Sequence, residues 1–100
     1  MADATKGRPV ILDVRTSQEF LAEHAPGSLN VPLDGLVADL PGIERDRPIL
    51  VCCASGARSS IAKVLLERLG FSEVVNAGPW QCAMKMAGSQ DGMSELIFPV

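Results

Sequence analysis

Apolar and polar positions fall along this chain in short blocks whose period switches between that of a strand and that of a helix. Pro9-Val10-Ile11-Leu12-Asp13-Val14 is a run rich in β-branched residues, read as a buried strand ending at Arg15. Thr16 or Ser17 can cap the following helix. Glu19 stands three residues after Thr16, in capping-box spacing, and Phe20, Leu21 and His24 continue one face. Ala25-Pro26-Gly27 stops that helix, Ser28-Leu29-Asn30-Val31 reads as a brief strand ended by Pro32, and Leu33, Leu36, Val37 and Leu40 recur at helical spacing up to Pro41-Gly42. A polar turn, Glu44-Arg45-Asp46-Arg47, leads into Pro48 and the strand Ile49-Leu50-Val51-Cys52, whose unbroken hydrophobicity predicts burial on both sheet faces. A loop from Cys53 to Arg58 follows. Beyond it, Ile61, Ala62, Val64, Leu65, Leu66 and Leu69 make a wide apolar stripe ending at Gly70, a natural C-terminal cap. Ser72 to Asn76 predicts another short strand, Ala77-Gly78-Pro79 a turn, and Trp80 to Met86 a helix. After Gly88, Ser89-Gln90-Asp91-Gly92 reads as a flexible turn, with Leu96-Ile97-Phe98 able to dock on the body.

Strands alternating with helices at this spacing imply right-handed βαβ crossovers. The expected fold is α/β: a central parallel sheet of four to five short strands flanked by helices on both faces. One hundred residues are expected to form a single domain over 1–100, with tails at 1–8 and 89–100, able to remove roughly two-thirds of the unfolded chain's surface from water. In such sheets ligand sites form where strands end and helices begin, which is where Cys53 stands.

Charge and composition narrow the function. Nine basic and twelve acidic residues give a net charge of −3, and four aromatic side chains offer little for stacking bases, so nucleic acid is excluded as a partner. The apolar runs are too short to span a bilayer. Residues 1–8 have no apolar segment after their charges, from which a cytoplasmic location is expected. Three cysteines, two of them adjacent, do not make a disulfide framework, and no C-x-x-C pair or histidine partner suggests a metal site.

The chemistry concentrates in the Cys53 loop. Ala54, Ser55, Gly56 and Ala57 are small enough to let the backbone curl until successive N–H groups converge on one anion, beside the positive end of a helix dipole. Helix N-termini and cationic neighbours lower a cysteine pKa from about 8.5 to roughly 3.5–7.5. Arg58 closes the loop, where its fork either holds an oxyanion beside the thiolate or points outward as part of the rim. Elsewhere structural roles are expected. Cys52 reads as a core residue, Cys82 as a buried or idle thiol, and His24 as a helix-end residue. Asp13, Arg15 and Glu19 read as a polar cluster fixing the sheet edge, and Trp80 as a hydrophobic anchor.

Three ordered segments make the chain, from Val10 to Trp80, resemble the rhodanese-like sulfurtransferases. They are Leu12-Asp13-Val14-Arg15 with Glu19-Phe20, then His24-Ala25-Pro26-Gly27-Ser28-Leu29-Asn30-Val31-Pro32, and finally Cys53 to Arg58 with Ser59, followed by Asn76-Ala77-Gly78 and Trp80. The resemblance implies that Cys53 attacks the outer sulfur of thiosulfate or a similar donor and that a thiophilic acceptor such as cyanide or a thiol then removes the persulfide sulfur. The N–H groups of Ala54 to Ser59 would stabilise the persulfide, and Arg58 would orient the donor. Small-molecule donors and acceptors, and a sulfur-accepting protein thiol, are the implied partners, and no cofactor or metal is. Four residues separate Cys53 from Arg58, whereas phosphatases and arsenate reductases of the same fold carry one more, so the tighter cradle suits one sulfur atom. A persulfide carrier or regulatory interaction module is the alternative. Two departures stand out: few residues precede the first strand, so the sheet is expected to lack an edge, and Pro79 replaces a second glycine near Gly78.

Overall fold

A computed structural model describes residues 8–91. Strands β1 (Val10–Asp13), β2 (Leu29–Asn30), β3 (Ile49–Cys53) and β4 (Val74–Pro79) form one four-stranded sheet in the order β2-β1-β3-β4. Every neighbouring pair is parallel, as crossovers through helices require. The helices are α1 (Ser17–Ala22), α2 (Leu36–Asp39, entered through a 3-10 turn at Leu33–Gly35), α3 (Ala57–Arg68) and α4 (Trp80–Asp91). Among the described residues no helix is long and apolar enough to cross a membrane.

The two-residue period of the strands divides the core into two layers. Ile49, Val51 and Cys53 of β3 join Leu12, Val14, Leu36, Ala62, Leu66 and Phe71 on one face, while Leu50 and Cys52 join Ile11, Ala25, Ala77, Trp80 and Ala83 on the other. All five β3 residues are buried, in keeping with their unbroken hydrophobicity. The end of α3 is set by Gly70 in a left-handed conformation (φ 103°). The Gly70 N–H donates to the Glu67 carbonyl and the Phe71 N–H to the Leu66 carbonyl, the paired bonds of a Schellman motif, with Leu66 and Phe71 both buried.

Several sequence expectations are corrected. The stripe on α3 is narrower than its composition: Ala62 and Leu66 are buried, but Ile61 and Val64 are exposed. Leu21 of α1 is 77% exposed, and α1 buries no residue at all, so its existence rests on its caps rather than on a core-facing side. Ala77-Gly78-Pro79 is not a turn but the end of β4, where a register shift opposite Val51 and Cys52 absorbs one extra residue. Helix α4 runs past Gly88 to Asp91, so Ser89 to Asp91 are helical rather than a turn or a tail. A lone glycine costs about 1 kcal/mol inside a helix, too little to end one without a capping motif. Gly92, residues 1–7 and the Leu96-Ile97-Phe98 segment lie outside the described residues.

Candidate active site

The two adjacent thiols part company because consecutive strand residues face opposite ways. Cys52 is fully buried on the Trp80 side, where burial, and then the charge of Asp13, pushes its thiol up to about 12. It is a core residue. Cys53 turns to the α3 side at the very end of β3 and is 1% exposed. Cys82 is free and exposed on α4, not buried as one sequence option had it.

The backbone closes around the Cys53 sulfur. Gly56 N–H donates to Sγ at 2.9 Å and Ser59 N–H at 3.4 Å, while the thiol lies 3.5 Å from Ser59 Oγ. Burial pushes the Cys53 thiol up, but hydrogen bonds from the Ser59 hydroxyl and the N–H groups of Ser59, Gly56 and Ser55 outweigh it and hold the group at about 7. Ser55, Gly56 and Ser59 are thus the loop positions that reach the sulfur, whereas Ala54 and Ala57 lie exposed on its outside. Gly56 adopts φ 111°, and a Cβ there would stand 3.4 Å from the Gly78 Cα. Two facing glycines let the loop lie against the β4 bulge.

Asn76, given no role from the sequence, joins these pieces. Its Nδ2 donates to the Gly56 carbonyl at 3.2 Å, and its Oδ1 accepts from Gly78 N–H at 2.9 Å and from Ser59 Oγ at 2.6 Å. The one hydroxyl proton of Ser59 therefore points to Asn76 while Cys53 is a thiol, and the thiol's own proton points to Ser59 Oγ. A thiolate at Cys53 would accept from that hydroxyl only if its proton turned from Asn76 to the sulfur. The available signal is a solitary amide two residues before a glycine in an otherwise apolar strand.

Of the two orientations open to Arg58, its fork is turned to Glu19, with Nη1 and Nη2 donating to Oε1 and Oε2 at 2.8 and 3.1 Å. Glu19 also accepts from Thr16 N–H, completing the capping box expected from the sequence. Arg58 first, and then Thr16, hold the Glu19 carboxyl down to about 2. Glu19 thus belongs to the rim of the loop. Asp13 and Arg15 form their own buried pair, with Arg15 Nε and Nη2 donating at 2.8–3.1 Å and the guanidinium 5.3 Å from the Trp80 ring centre. Trp80 is the expected anchor. His24 Nδ1 donates to the Phe20 carbonyl at 2.7 Å, the structural use of a helix-end histidine. A cavity of about 530 Å³ lies where β1 and β2 begin, under Pro9, Leu29 and Arg47, at the opposite end of the strands from Cys53.

Reactivity should follow this network. Alkylation of Cys53 by iodoacetamide, mapped by peptide mass, is expected to rise with a midpoint near pH 7. Ser59→Ala should move that midpoint up by about one unit or more, because a hydrogen bond to a charged group is worth about 1.5–3 kcal/mol. An unmoved midpoint would show that the hydroxyl does not serve the thiolate. The linked effect on folding has a definite sign. The lowered Cys53 value contributes stability that is complete above the ordinary 9 and is lost as pH falls through 7, whereas the raised Cys52 value costs stability as pH climbs from 9 towards 12.

A thiol ringed by backbone N–H groups at a strand-to-helix junction of a parallel α/β sheet defines a class of anion- and sulfur-handling proteins. Within that class the chain belongs to the rhodanese-like domain family, which matches residues 1–77. It is 33% identical over 69 residues to the putative sulfur carrier protein YrkF of Bacillus subtilis (strain 168), covering 69% of this chain and 37% of YrkF. It is 31% identical over 71 residues to the thiosulfate sulfurtransferase PspE of Escherichia coli (strain K12), covering 67% of this chain and 66% of PspE. The chain thus spans less than two thirds of each of these relatives. Among solved structures, the rhodanese-like domain of the Alr3790 protein from Anabaena sp. superposes with a TM-score of 0.70 at 28% identity, covering 87% of this chain and 89% of that one. The family joins sulfurtransferases and sulfur carriers, and this chain's four-stranded parallel sheet flanked by helices matches the fold of its solved neighbours.

Proposed function

We propose that this chain is a sulfurtransferase that moves a sulfane sulfur from thiosulfate or a similar donor to a thiophilic acceptor through a persulfide on Cys53. The observation that carries this reading is the Cys53 sulfur, held at about 7 by three backbone N–H groups and one hydroxyl at the end of β3. In the first half-reaction the Cys53 thiolate attacks the outer sulfur of thiosulfate, the Sγ–S bond forms, and sulfite leaves with the electron pair of the broken S–S bond. In the second, cyanide or a thiolate takes that sulfur and Cys53 departs as the thiolate. The N–H groups that stabilise the thiolate are placed to stabilise the persulfide anion as well. Arg58 orients the donor once Glu19 yields part of its fork. Near-complete burial of Cys53 favours partners whose reacting atom is terminal, as the outer sulfur of thiosulfate is. The four-residue spacing from Cys53 to Arg58 supports sulfur over phosphate or arsenate. A free nucleophilic thiol suits a reducing compartment, in keeping with the cytoplasm.

The sulfur-carrier name of YrkF supports a second reading, in which the same persulfide is passed to a protein thiol. Intact-mass measurement tests the chemistry common to both. Thiosulfate treatment is expected to add one sulfur atom, and cyanide to remove it with release of thiocyanate. A chain whose mass does not change would sink the proposal.

A further inference from the structure

Ser59 stands between the reacting sulfur and β4, a strand that carries no titratable side chain. It is 0% exposed, and its Oγ lies 3.5 Å from Cys53 Sγ and 2.6 Å from Asn76 Oδ1. One hydroxyl proton serves these two neighbours. A backbone N–H can only donate, so the Gly78 N–H, 2.9 Å from Asn76 Oδ1, fixes the oxygen of that amide on the Ser59 side. The bond from Nδ2 to the Gly56 carbonyl at 3.2 Å fixes the nitrogen on the other. Ser59 is therefore the donor to Asn76, and Oδ1 competes with the sulfur for its proton. The two acceptors differ in what they need. Oδ1 keeps the Gly78 N–H when the hydroxyl turns away, whereas an anionic sulfur that is 1% exposed draws a charge-assisted bond, roughly twice as strong as a neutral one.

We propose that Asn76 is a positioning residue for the Cys53 sulfur: it holds the Ser59 proton while the sulfur is uncharged and yields it when the sulfur is an anion. The hydroxyl then serves Cys53 as an attacking or departing thiolate, and not as a thiol or as the inner sulfur of a persulfide. Its part in sulfur transfer rests on the reading of Cys53 as the persulfide carrier. In the discharge step the acceptor thiolate attacks the outer sulfur, and the new bond forms as the Sγ–S bond breaks with its electron pair passing to Sγ. The Ser59 O–H rotates from Oδ1 to Sγ, its proton stays on the hydroxyl oxygen, and no oxidant or reductant is consumed. Turning the hydroxyl costs the Ser59–Asn76 bond, so Asn76 keeps the thiolate more basic than Ser59 alone would leave it. A more basic thiolate is intrinsically the stronger nucleophile. The titratable and charged groups around the loop are Cys52 on β3, Arg58 on α3, Glu19 on α1 and Asp13 on β1, and all of them stay in place in the test below.

The test is a double-mutant cycle read by pH profile. Asn76→Ala and Asn76→Asp are each made alone and together with Ser59→Ala, shown to be folded by circular dichroism, and alkylated with iodoacetamide across pH, with the product mapped to Cys53 by peptide fragmentation. A loosened loop, or the added charge of aspartate, shifts the alkylation midpoint alike with and without the Ser59 hydroxyl and drops out of the comparison. Alanine at position 76 frees the hydroxyl for the sulfur, so its shift with Ser59 present should lie about half a unit or more below its shift in Ser59→Ala. Aspartate still accepts from the hydroxyl and grips it harder, so it should raise the midpoint by about half a unit more with Ser59 than without it. The aspartate pair reads the competition even where the alanine variant does not fold. Equal shifts with and without Ser59 in a folded variant, or differences of the opposite sign, would overturn the assignment. Thiosulfate loading of the unaltered protein, followed by intact mass, separates the two readings. Loading with additive shifts removes the role of Asn76 alone, whereas coupled shifts without loading remove the persulfide reading and leave Asn76 as the residue that governs the Ser59 proton.

Discussion

Replacing Cys53 by serine is expected to abolish sulfur loading, lowering it by about a thousandfold or more, because the residue supplies the atom to which the sulfur is bonded. A hydroxyl in the same place would need a general base. The chain's one histidine, His24, is occupied at the end of α1 with the Phe20 carbonyl, 29 positions away from Cys53 in sequence. The other two thiols discriminate the assignment. Cys82→Ser removes an exposed thiol and should load within about twofold of the unaltered protein, within the range of surface changes. Cys52→Ala removes a fully buried thiol whose raised pKa leaves it almost entirely protonated near neutrality. It should cost some stability and still load. Intact mass after thiosulfate treatment reads all three variants. An undiminished adduct in Cys53→Ser, or an adduct lost in Cys82→Ser, would contradict the assignment.

Asp13→Ala is expected to be the most damaging change outside the loop, costing about 3–5 kcal/mol, as removal of one partner from a buried ion pair does. Asp13 is 0% exposed and Arg15 6%. The Asp13 carboxylate accepts the Arg15 backbone N–H at 3.0 Å in addition to the guanidinium bonds, so alanine would leave a cation and an amide without their partner in the core. The same segment is held by Asn30, whose Nδ2 donates to the carbonyls of Asp13 and Arg15. Loss of the pair would therefore loosen the point at which β2 joins β1. Domains of this size are stable by about 5–15 kcal/mol, so the urea midpoint should fall by roughly a fifth or more. Asp13→Asn, which can still accept from the Arg15 N–H, should cost less than Asp13→Ala. A loss below about 1 kcal/mol for alanine would show that water replaces the carboxylate and that the pair is not sealed in the core.

What the sequence determined by itself is local or periodic. The strand and helix order, the parallel sheet, the Thr16–Glu19 capping box, the Gly70 cap and the position of Cys53 at a strand-to-helix junction all follow from residues within one turn or one strand of each other. Tertiary structure decided the partners of the candidate site. Glu19 and Arg58 are 39 residues apart, and Ser59 and Asn76 are 17 apart, so no spacing rule announces either pair. Glu19 had a sufficient local explanation in its capping box, and only the approach of α1 to the loop shows that its carboxylate also engages Arg58. The same holds for apolar residues. Hydrophobic spacing placed Leu21 on one helix face and Ile61 and Val64 in an apolar stripe, but burial depends on which elements cover a face, and among the described residues none covers theirs. The Ala77-Gly78-Pro79 stretch carries the composition of a turn, yet hydrogen bonding to β3 keeps it in the sheet as a bulge, and that bulge brings Asn76 and Gly78 to the loop around Cys53. A nucleophile can be marked by its neighbours in sequence, but the groups that set its pKa and its choice of partner come from whichever strands and helices folding brings beside it.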